Sequence, residues 1–187
     1  MRKILFLITT IICSLCYSQS TFEGLVLETV DNSTAGFSNG EQTYRLYAEL
    51  SGGIITQLNG DESNPVLVST TTTFVNQDLF GSISNLQSDV NDGAFGFMPQ
   101  LAFDTWVGIG DSYSSAPNTI GDVGFTNNLS GSSWSFGGTV NSDASIFRLP
   151  DDPLCQPDEN GLVLLAQFTT TGVLSGYINL EGQDASG

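Results

Sequence analysis

Apolar and polar residues alternate over short stretches of the chain, and glycine, asparagine and serine separate these stretches. Residues 42–50 show the pattern most clearly, because from Tyr44 onward every second residue is apolar. The residues between them, which include Arg45 and Tyr47, would project from the opposite face. A period of two is typical of β-strands, and no comparable helical period appears after the first 18 residues.

The alternation predicts a series of strands joined by turns. The predicted strands are residues 22–30, 42–50, 54–58, 66–75, 101–109, 133–136, 145–149, 162–170 and 173–180. Residues 59–61 are predicted as a turn, and the last two strands as a hairpin around Thr171-Gly172. Residues 81–100 and 110–132 are irregular and predict long loops. We expect an all-β fold, an antiparallel β-sandwich or jelly-roll in a single domain.

The first 18 residues have the features of a signal peptide. Arg2 and Lys3 precede an apolar run that ends near Cys16, and small residues stand one and three positions before a cleavage position after Ser18. The run is shorter than the roughly 20 residues of a membrane span. We therefore expect a signal peptide at residues 1–18, a β-sandwich domain at residues 19–187, and a secreted or cell-surface location without a membrane segment after cleavage.

The predicted mature region is strongly acidic. It keeps two arginines, Arg45 and Arg148, against 20 acidic residues, which gives a net charge of −18, and it has no lysine or histidine. Such a surface repels phosphate groups, so nucleic acids and anionic membranes are not expected as partners.

The missing residue types also restrict catalysis. Without histidine or lysine there is no ordinary base for a serine or cysteine nucleophile, and no usual zinc site. Cys155 is the one cysteine left after residue 18, so no disulfide can form within the domain. It is expected to be either a buried thiol or paired outside the domain. Carboxylate chemistry and oxygen-ligand metals remain.

One acidic segment suggests a calcium site. Asp89, Asn91 and Asp92 place oxygen donors close together before Gly93, which resembles half of a calcium-binding loop. The segment lacks the complete donor ladder of an EF-hand. The alternative is that these side chains stabilise turns through hydrogen bonds to the backbone.

A second candidate site is a carbohydrate-binding surface. In a strand, Asp104 and Trp106 would share a face, and an exposed indole beside a carboxylate suits a sugar ring. Tyr47 is a further aromatic candidate for this surface. The alternative is that Trp106 belongs to the core.

Hydrolysis of glycosidic bonds is a third hypothesis. It needs two carboxyl groups that face each other across a sugar. Glu28, Glu49 and Asp104 lie on predicted strands and are the first candidates, but the pattern favours the alternative, that they are solvent-facing acids on alternating strands.

Three segments, residues 43–50, 103–110 and 163–170, resemble in sequence and order a group of uncharacterised secreted β-rich modules of environmental bacteria. The resemblance implies a β-rich exported module, often part of a longer protein, and it implies no activity. The chain ends just after a predicted strand, and we expect it to be a piece of a longer protein.

These observations predict a secreted, non-catalytic β-sandwich module with a binding or structural role outside the cell. The expected partners are extracellular polysaccharides or further modules of the same longer protein. A carbohydrate-binding module and a carboxylate-dependent glycoside hydrolase are the two alternatives.

Overall fold

A computed structural model describes residues 22–79, 82–83, 86–111, 113–116, 120–124, 131–136 and 143–184. The strands among them are β1 Phe22–Val30, β2 Gln42–Leu50, β3 Ile54–Gly60, β4 Val66–Thr70, β5 Asp78–Leu79, β6 Ser82–Ile83, β7 Trp106–Val107, β8 Gly121–Val123, β9 Ser133–Phe136, β10 Ala144–Phe147, β11 Leu162–Thr170, β12 Leu174–Tyr177 and β13 Leu180–Gln183. Short 3-10 helices span Ser33–Ala35, Gln87–Asp89, Asp92–Ala94, Pro99–Phe103 and Pro153–Cys155. The predicted signal peptide lies outside the described residues. Within the described ranges, no helix is long and apolar enough to cross a membrane.

The strands form an antiparallel sandwich, which confirms the predicted fold class. The first sheet has the order β1-β2-β11-β7. Two further sheets, β13-β3-β10-β8 and β12-β4-β9, pack against its inner face, and β5 and β6 form a separate pair. All named strand pairs among the described residues are antiparallel.

The hydrophobic core lies between the layers in two adjoining clusters. The larger cluster brings Phe168 of β11 against Trp134 of β9 and Ile146 of β10, which are all almost fully buried. The smaller cluster joins Ile55 of β3 to Leu165 of β11. Burying large apolar side chains contributes about 1.5–3 kcal/mol each, so these contacts are the main stabilising term of the sandwich.

Strand β11 is buried on both of its faces. Leu165 and Phe168 point into the core, whereas Leu164 and Gln167 lie on the outer face of the first sheet. A β-bulge between Leu164 and Ala166 in the pairing with β2 interrupts the regular alternation of side chains between the two faces of the sheet. Burial on both faces explains why this strand reads as a nearly continuous apolar run.

Part of the outer face of the first sheet, over β11 and the neighbouring part of β2, is covered by the segments on either side of β7. There Val90, Trp106 and Leu164 form a third buried cluster, against which Phe95 and Tyr113 pack. The predicted strand at residues 101–109 is therefore wrong over most of its length. Residues Pro99–Phe103 are a 3-10 helix with proline in its first turn, and only Trp106–Val107 pairs with β11.

The predicted hairpin between the last two strands is also wrong. Strand β11 already has β2 and β7 on its two sides, so the chain after Thr171-Gly172 crosses to the opposite layer. There the single predicted strand divides, and β12 pairs with β4 while β13 pairs with β3. The Thr170 hydroxyl, 2.7 Å from that of Thr70 and 2.9 Å from that of Thr72, joins the layers at this crossing.

Three further boundaries differ from the prediction, and the first is that of β10, which spans Ala144–Phe147 instead of residues 145–149. Strand β3 continues through Gly60, and the turn follows at Asp61, whose carboxylate accepts hydrogen bonds from the backbone N–H groups of Ser63 and Asn64. Strand β4 ends at Thr70 instead of residue 75, and Phe74 makes only an isolated bridge to Thr170. Local hydrogen bonds from Asp and Thr side chains end the strands at these points.

Candidate functional site

Arg45 lies on the outer face of β2 and is held in place by a buried glutamine. Its Nε donates a hydrogen bond to Oε1 of Gln167 at 3.1 Å. The amide nitrogen of Gln167 in turn donates to the carbonyl oxygens of Ala102 and Asp104, at 3.1 and 2.8 Å. Because Gln167 is fully buried and its amide is bonded at both ends, the guanidinium group has a fixed position.

The guanidinium group of Arg45 lacks an ionic partner within the part of the chain that the structure describes. No described carboxylate oxygen lies within 4.0 Å of its nitrogens, whereas Arg148 forms a buried ion pair with Asp152 at 2.9 Å. Arg45 is half-buried. This arrangement makes Arg45 the candidate binding residue.

Arg45 opens onto a cavity of about 390 Å³, which we call the Arg45 pocket. Its polar wall comes from separate parts of the chain: Arg45 and Tyr47 of β2, Asp111 after β7, and Gln156 and Asp158 before β11. Leu154 and Leu164 supply an apolar floor. The pocket therefore offers a cation, carboxylates, an amide and an aromatic ring around one concave surface.

The electrostatics of the pocket favour a charged guanidinium group. Burial by itself lowers the pKa of Arg45, but its interactions with Tyr113, Tyr47 and Asp111 outweigh this effect and raise the pKa. The Asp111 carboxylate accepts a hydrogen bond from the side-chain amide of the buried Gln87. The pocket thus presents donors from Arg45 beside an oriented acceptor on Asp111.

Asp158 and the two tyrosines are also held in position. Oδ1 of Asp158 accepts hydrogen bonds from the backbone N–H groups of Leu162 and Asn160, and these bonds lower the pKa of the carboxyl group. The Tyr47 hydroxyl donates to Oε2 of Glu28 at 3.0 Å. Burial raises the pKa of Tyr47 and of Tyr113, so both phenols stay protonated donors at neutral pH.

The predicted sugar-binding surface of Tyr47, Asp104 and Trp106 is not assembled as an open platform. Trp106 is 0% exposed and packs edge-on against Tyr113, with ring centroids 6.1 Å apart. Asp104 is also fully buried, and its Oδ1 accepts the backbone N–H of Gln77. Trp106 therefore belongs to the core, as the alternative interpretation held, and of the three predicted residues only Tyr47 lines the pocket.

The residues of the predicted calcium site make local hydrogen bonds. Oδ2 of Asp89 accepts the backbone N–H of Leu86, and the Asp92 carboxylate accepts bonds from the hydroxyls of Ser114 and Ser115. The backbone carbonyl of Asn91 accepts the N–H of Ala94 in a 3-10 turn. Within the described ranges, no three Asp, Glu, His or Cys side chains come together in a metal-binding arrangement. Calcium binding stays a prediction.

The three acids considered for glycoside hydrolysis occupy different environments. Glu28 and Glu49 are exposed on neighbouring strands, and Asp104 is buried beneath the outer loops. Burial raises the pKa of Asp104 to about 7. The Arg45 pocket includes none of these three residues in its lining.

Cys155 is a buried thiol, one of the two roles expected from the sequence. It is 0% exposed, and its Sγ lies 3.4 Å from the carbonyl oxygen of Leu149. Burial is the main reason why its pKa rises to about 11. A thiol in this environment is not nucleophilic at neutral pH.

Sequence reasoning missed Arg45, Asp111, Gln156 and Asp158 as members of one site. One available signal was the scarcity of cations, since Arg45 is one of only two arginines after residue 18. The other residues lie in irregular segments, and their spacing along the chain gave no indication that they meet. Comparisons with protein-family models, curated proteins and solved structures found no match to this chain.

Proposed function

We propose that the protein is an exported, non-catalytic binding module whose Arg45 pocket binds a neutral polysaccharide outside the cell. The observation that carries the proposal is the fixed guanidinium group of Arg45, which faces an open pocket. Among the residues that the structure describes, no carboxylate oxygen lies within 4.0 Å of its nitrogens. Ligand pockets typically combine apolar walls with a few positioned polar groups. The Arg45 pocket has this composition.

The chemistry of the pocket suits sugar hydroxyl groups. Arginine offers several N–H donors in one plane, and an ionised carboxylate accepts hydrogen bonds at two oxygens. Arg45 together with Asp111 and Asp158 can thus satisfy both the oxygens and the O–H groups of adjacent hydroxyls. The ring of Tyr47 and the side chain of Leu154 offer apolar surface for the carbon face of a sugar.

The overall charge favours a neutral glycan over an acidic one. Residues 19–187 carry a net charge of −18, and a polyanion would be repelled before it reached the pocket. A single arginine cannot compensate for that repulsion along a charged polymer. Neutral glycans bring no such cost.

The proposal is tested by affinity electrophoresis and calorimetry with neutral glucans, xylans, mannans and galactans. At least one should bind. Arg45→Gln, which retains a polar side chain but loses the charge and the fork of donors, should weaken binding about tenfold or more. The matched control is Glu49→Gln on the same strand, exposed and outside the pocket lining, which should bind as the wild type does.

Other outcomes separate the alternatives. Absence of binding to every glycan would overturn the proposal and favour a structural role. Release of reducing ends, abolished by Asp111→Asn or Asp158→Asn, would instead indicate a glycoside hydrolase. Tight binding of polygalacturonate at low salt would contradict the choice of a neutral ligand.

A further inference from the structure

One side of the sandwich exposes an apolar groove that is separate from the Arg45 pocket. Large apolar side chains on β1 are about half exposed: Phe22 by 53%, Leu25 by 46% and Leu27 by 51%. Leu25 lies opposite Ala48 and Leu27 opposite Leu46 in the β1–β2 ladder. Residues directly opposite each other share a face of the sheet, so Leu25 and Leu27 project toward the space between the layers.

Two cavities make this surface continuous along β1. One of about 180 Å³ is lined by Leu25, Leu27 and Tyr177, and a second of about 510 Å³ by Phe22, Leu25 and Leu180. The cavities share Leu25 and Ile178. We call this surface the edge groove. Tyr177, 51% exposed, forms part of its far side.

The edge groove is bordered by strand edges in both layers. Among the described strands, β1 pairs only with β2, while β12 pairs only with β4 and β13 only with β3. The pairing of β1 is regular from Leu25 to Val30, after a bulge near Gly24. An edge strand offers backbone N–H and C=O groups to another strand, and the groove offers it apolar contacts.

The charge of the protein indicates the chemistry of an occupant. Beyond residue 18 the chain has no lysine, Arg45 lies on the outer face of the first sheet, and Arg148 is buried in its ion pair. Glu28, opposite Arg45 in the β1–β2 ladder, is an exposed acid on the outer face of β1, where every second side chain of an added strand would lie. A second copy of residues 19–187 would bring the same net charge of −18, which opposes self-association.

We propose that the edge groove binds an extended, basic strand of another polypeptide. The strand adds to β1 through backbone hydrogen bonds, and its alternate apolar side chains enter the groove beside Leu25 and Leu27. Its remaining side chains, lysine or arginine, face the acidic surface. Strand addition to an exposed sheet edge is an established mode of peptide recognition, with side-chain pockets supplying specificity.

The probe is a labelled peptide of alternating valine and lysine, and binding is followed by fluorescence anisotropy at physiological salt. One control peptide replaces valine by serine and keeps the charge, and another replaces lysine by glutamate and keeps the apolar residues. The valine–lysine peptide should bind about tenfold more tightly than either control, because it alone has both features. Hydrogen exchange should show new protection of β1 amides upon binding.

Matched variants locate the binding site. Leu27→Asn should weaken binding of the valine–lysine peptide about tenfold, whereas Val123→Asn, which changes a similarly exposed apolar residue on β8, should not. Both variants replace an exposed side chain, so both should remain folded, and thermal unfolding of each variant checks this.

Three results would overturn the proposal. Equal affinity for the serine–lysine and valine–lysine peptides would show attraction by charge alone. An affinity that Leu27→Asn leaves unchanged would place the peptide elsewhere. Self-association of the wild type in sedimentation, abolished by Leu27→Asn, would show that a second copy occupies the groove. Glycan binding at the Arg45 pocket is measured separately and does not depend on any of these results.

Discussion

At the scale of single residues, the two arginines after residue 18 are used in opposite ways. Arg148 is buried, pairs with Asp152 at 2.9 Å and also donates through Nε to the carbonyl oxygen of Ile109. Asp152 additionally accepts the backbone N–H of Leu154 through Oδ1. Arg45 is instead anchored through Nε to the neutral Gln167, and it lines an open pocket.

Asp152→Asn should destabilise the fold strongly. The substitution keeps the size of the side chain and an acceptor for Leu154, but it removes the buried negative charge that pairs with Arg148. Removing one member of a buried ion pair costs about 3–5 kcal/mol. Urea unfolding measures the loss. Asp151→Asn, at the exposed neighbouring position, should change the free energy of unfolding by less than about 0.5 kcal/mol.

Asp104 should make the stability depend on pH. Burial raises its pKa in the folded state to about 7, whereas the unfolded chain has the ordinary value of about 3.9. The folded state thus keeps the proton of Asp104 to higher pH. The contribution of this group to the free energy of unfolding should therefore be full below about pH 4 and should be lost as the pH rises toward about 7.

Asp104→Asn cannot ionise and should remove this fall. Urea unfolding from about pH 4 to pH 8 should give a flatter profile for the variant, and the variant should be the more stable protein at the upper end. Its amide oxygen can still accept the N–H of Gln77, which preserves the observed hydrogen bond. A slope identical to that of the wild type would refute this role of the carboxyl group.

At the scale of elements, the segment after β7 depends on a glycine. Gly110 has φ +71°, and a Cβ atom there would clash with the carbonyl oxygen of Leu154 and lie 2.6 Å from the Cβ of that residue. The close approach packs this segment against the Pro153–Cys155 helix, and the two together form one wall of the Arg45 pocket. Only glycine permits both the backbone conformation and the contact.

Gly110→Ala should therefore cost more stability than a matched substitution without the contact. Gly36 has a similar φ of +72°, but a Cβ atom there would have no neighbour within 4 Å. Gly36→Ala reports the backbone strain alone, about 1 kcal/mol, and Gly110→Ala adds a steric clash, for a total of about 2 kcal/mol or more. Thermal unfolding compares the two variants; equal losses would contradict the contact.

At the scale of the whole molecule, the excess of negative charge is expected to limit stability through the repulsion of like charges. Residues 19–187 carry a net charge of −18, and the described cations do not offset it. Salt reduces the range of these repulsions to about 8 Å at physiological ionic strength. The thermal midpoint should therefore rise with sodium chloride. A midpoint that falls or stays constant would show that the acids are distributed without net repulsion.

The calcium hypothesis adds a separate expectation at this scale. Screening alone predicts the same midpoint in calcium and magnesium chloride at equal ionic strength. A calcium site at Asp89, Asn91 and Asp92 predicts an additional increase with calcium that EDTA reverses and that Asp92→Asn abolishes. Equal midpoints in the two salts would exclude the site.

Where the alternation of apolar and polar residues was undisturbed, the sequence by itself determined which segments become strands. Strands β1, β2, β9 and β11 have the predicted bounds, because alternation along a strand is a local property of the chain. Composition likewise determined the net charge and the residue types available for chemistry. These features do not depend on which segments meet.

Only the tertiary structure decided which strands pair and which faces are covered. The chain after β11 crosses to the opposite layer because both neighbours of β11 are already in place. Trp106 is buried because the segments on either side of β7 cover part of the outer face of the first sheet. The alternation of residues along the strands does not show whether that face is covered. Arg45 lines a pocket with Asp111 and Asp158 because Gln167, 122 positions away, holds its side chain there. Such long-range contacts leave no local period in the sequence, since they depend on packing between distant segments.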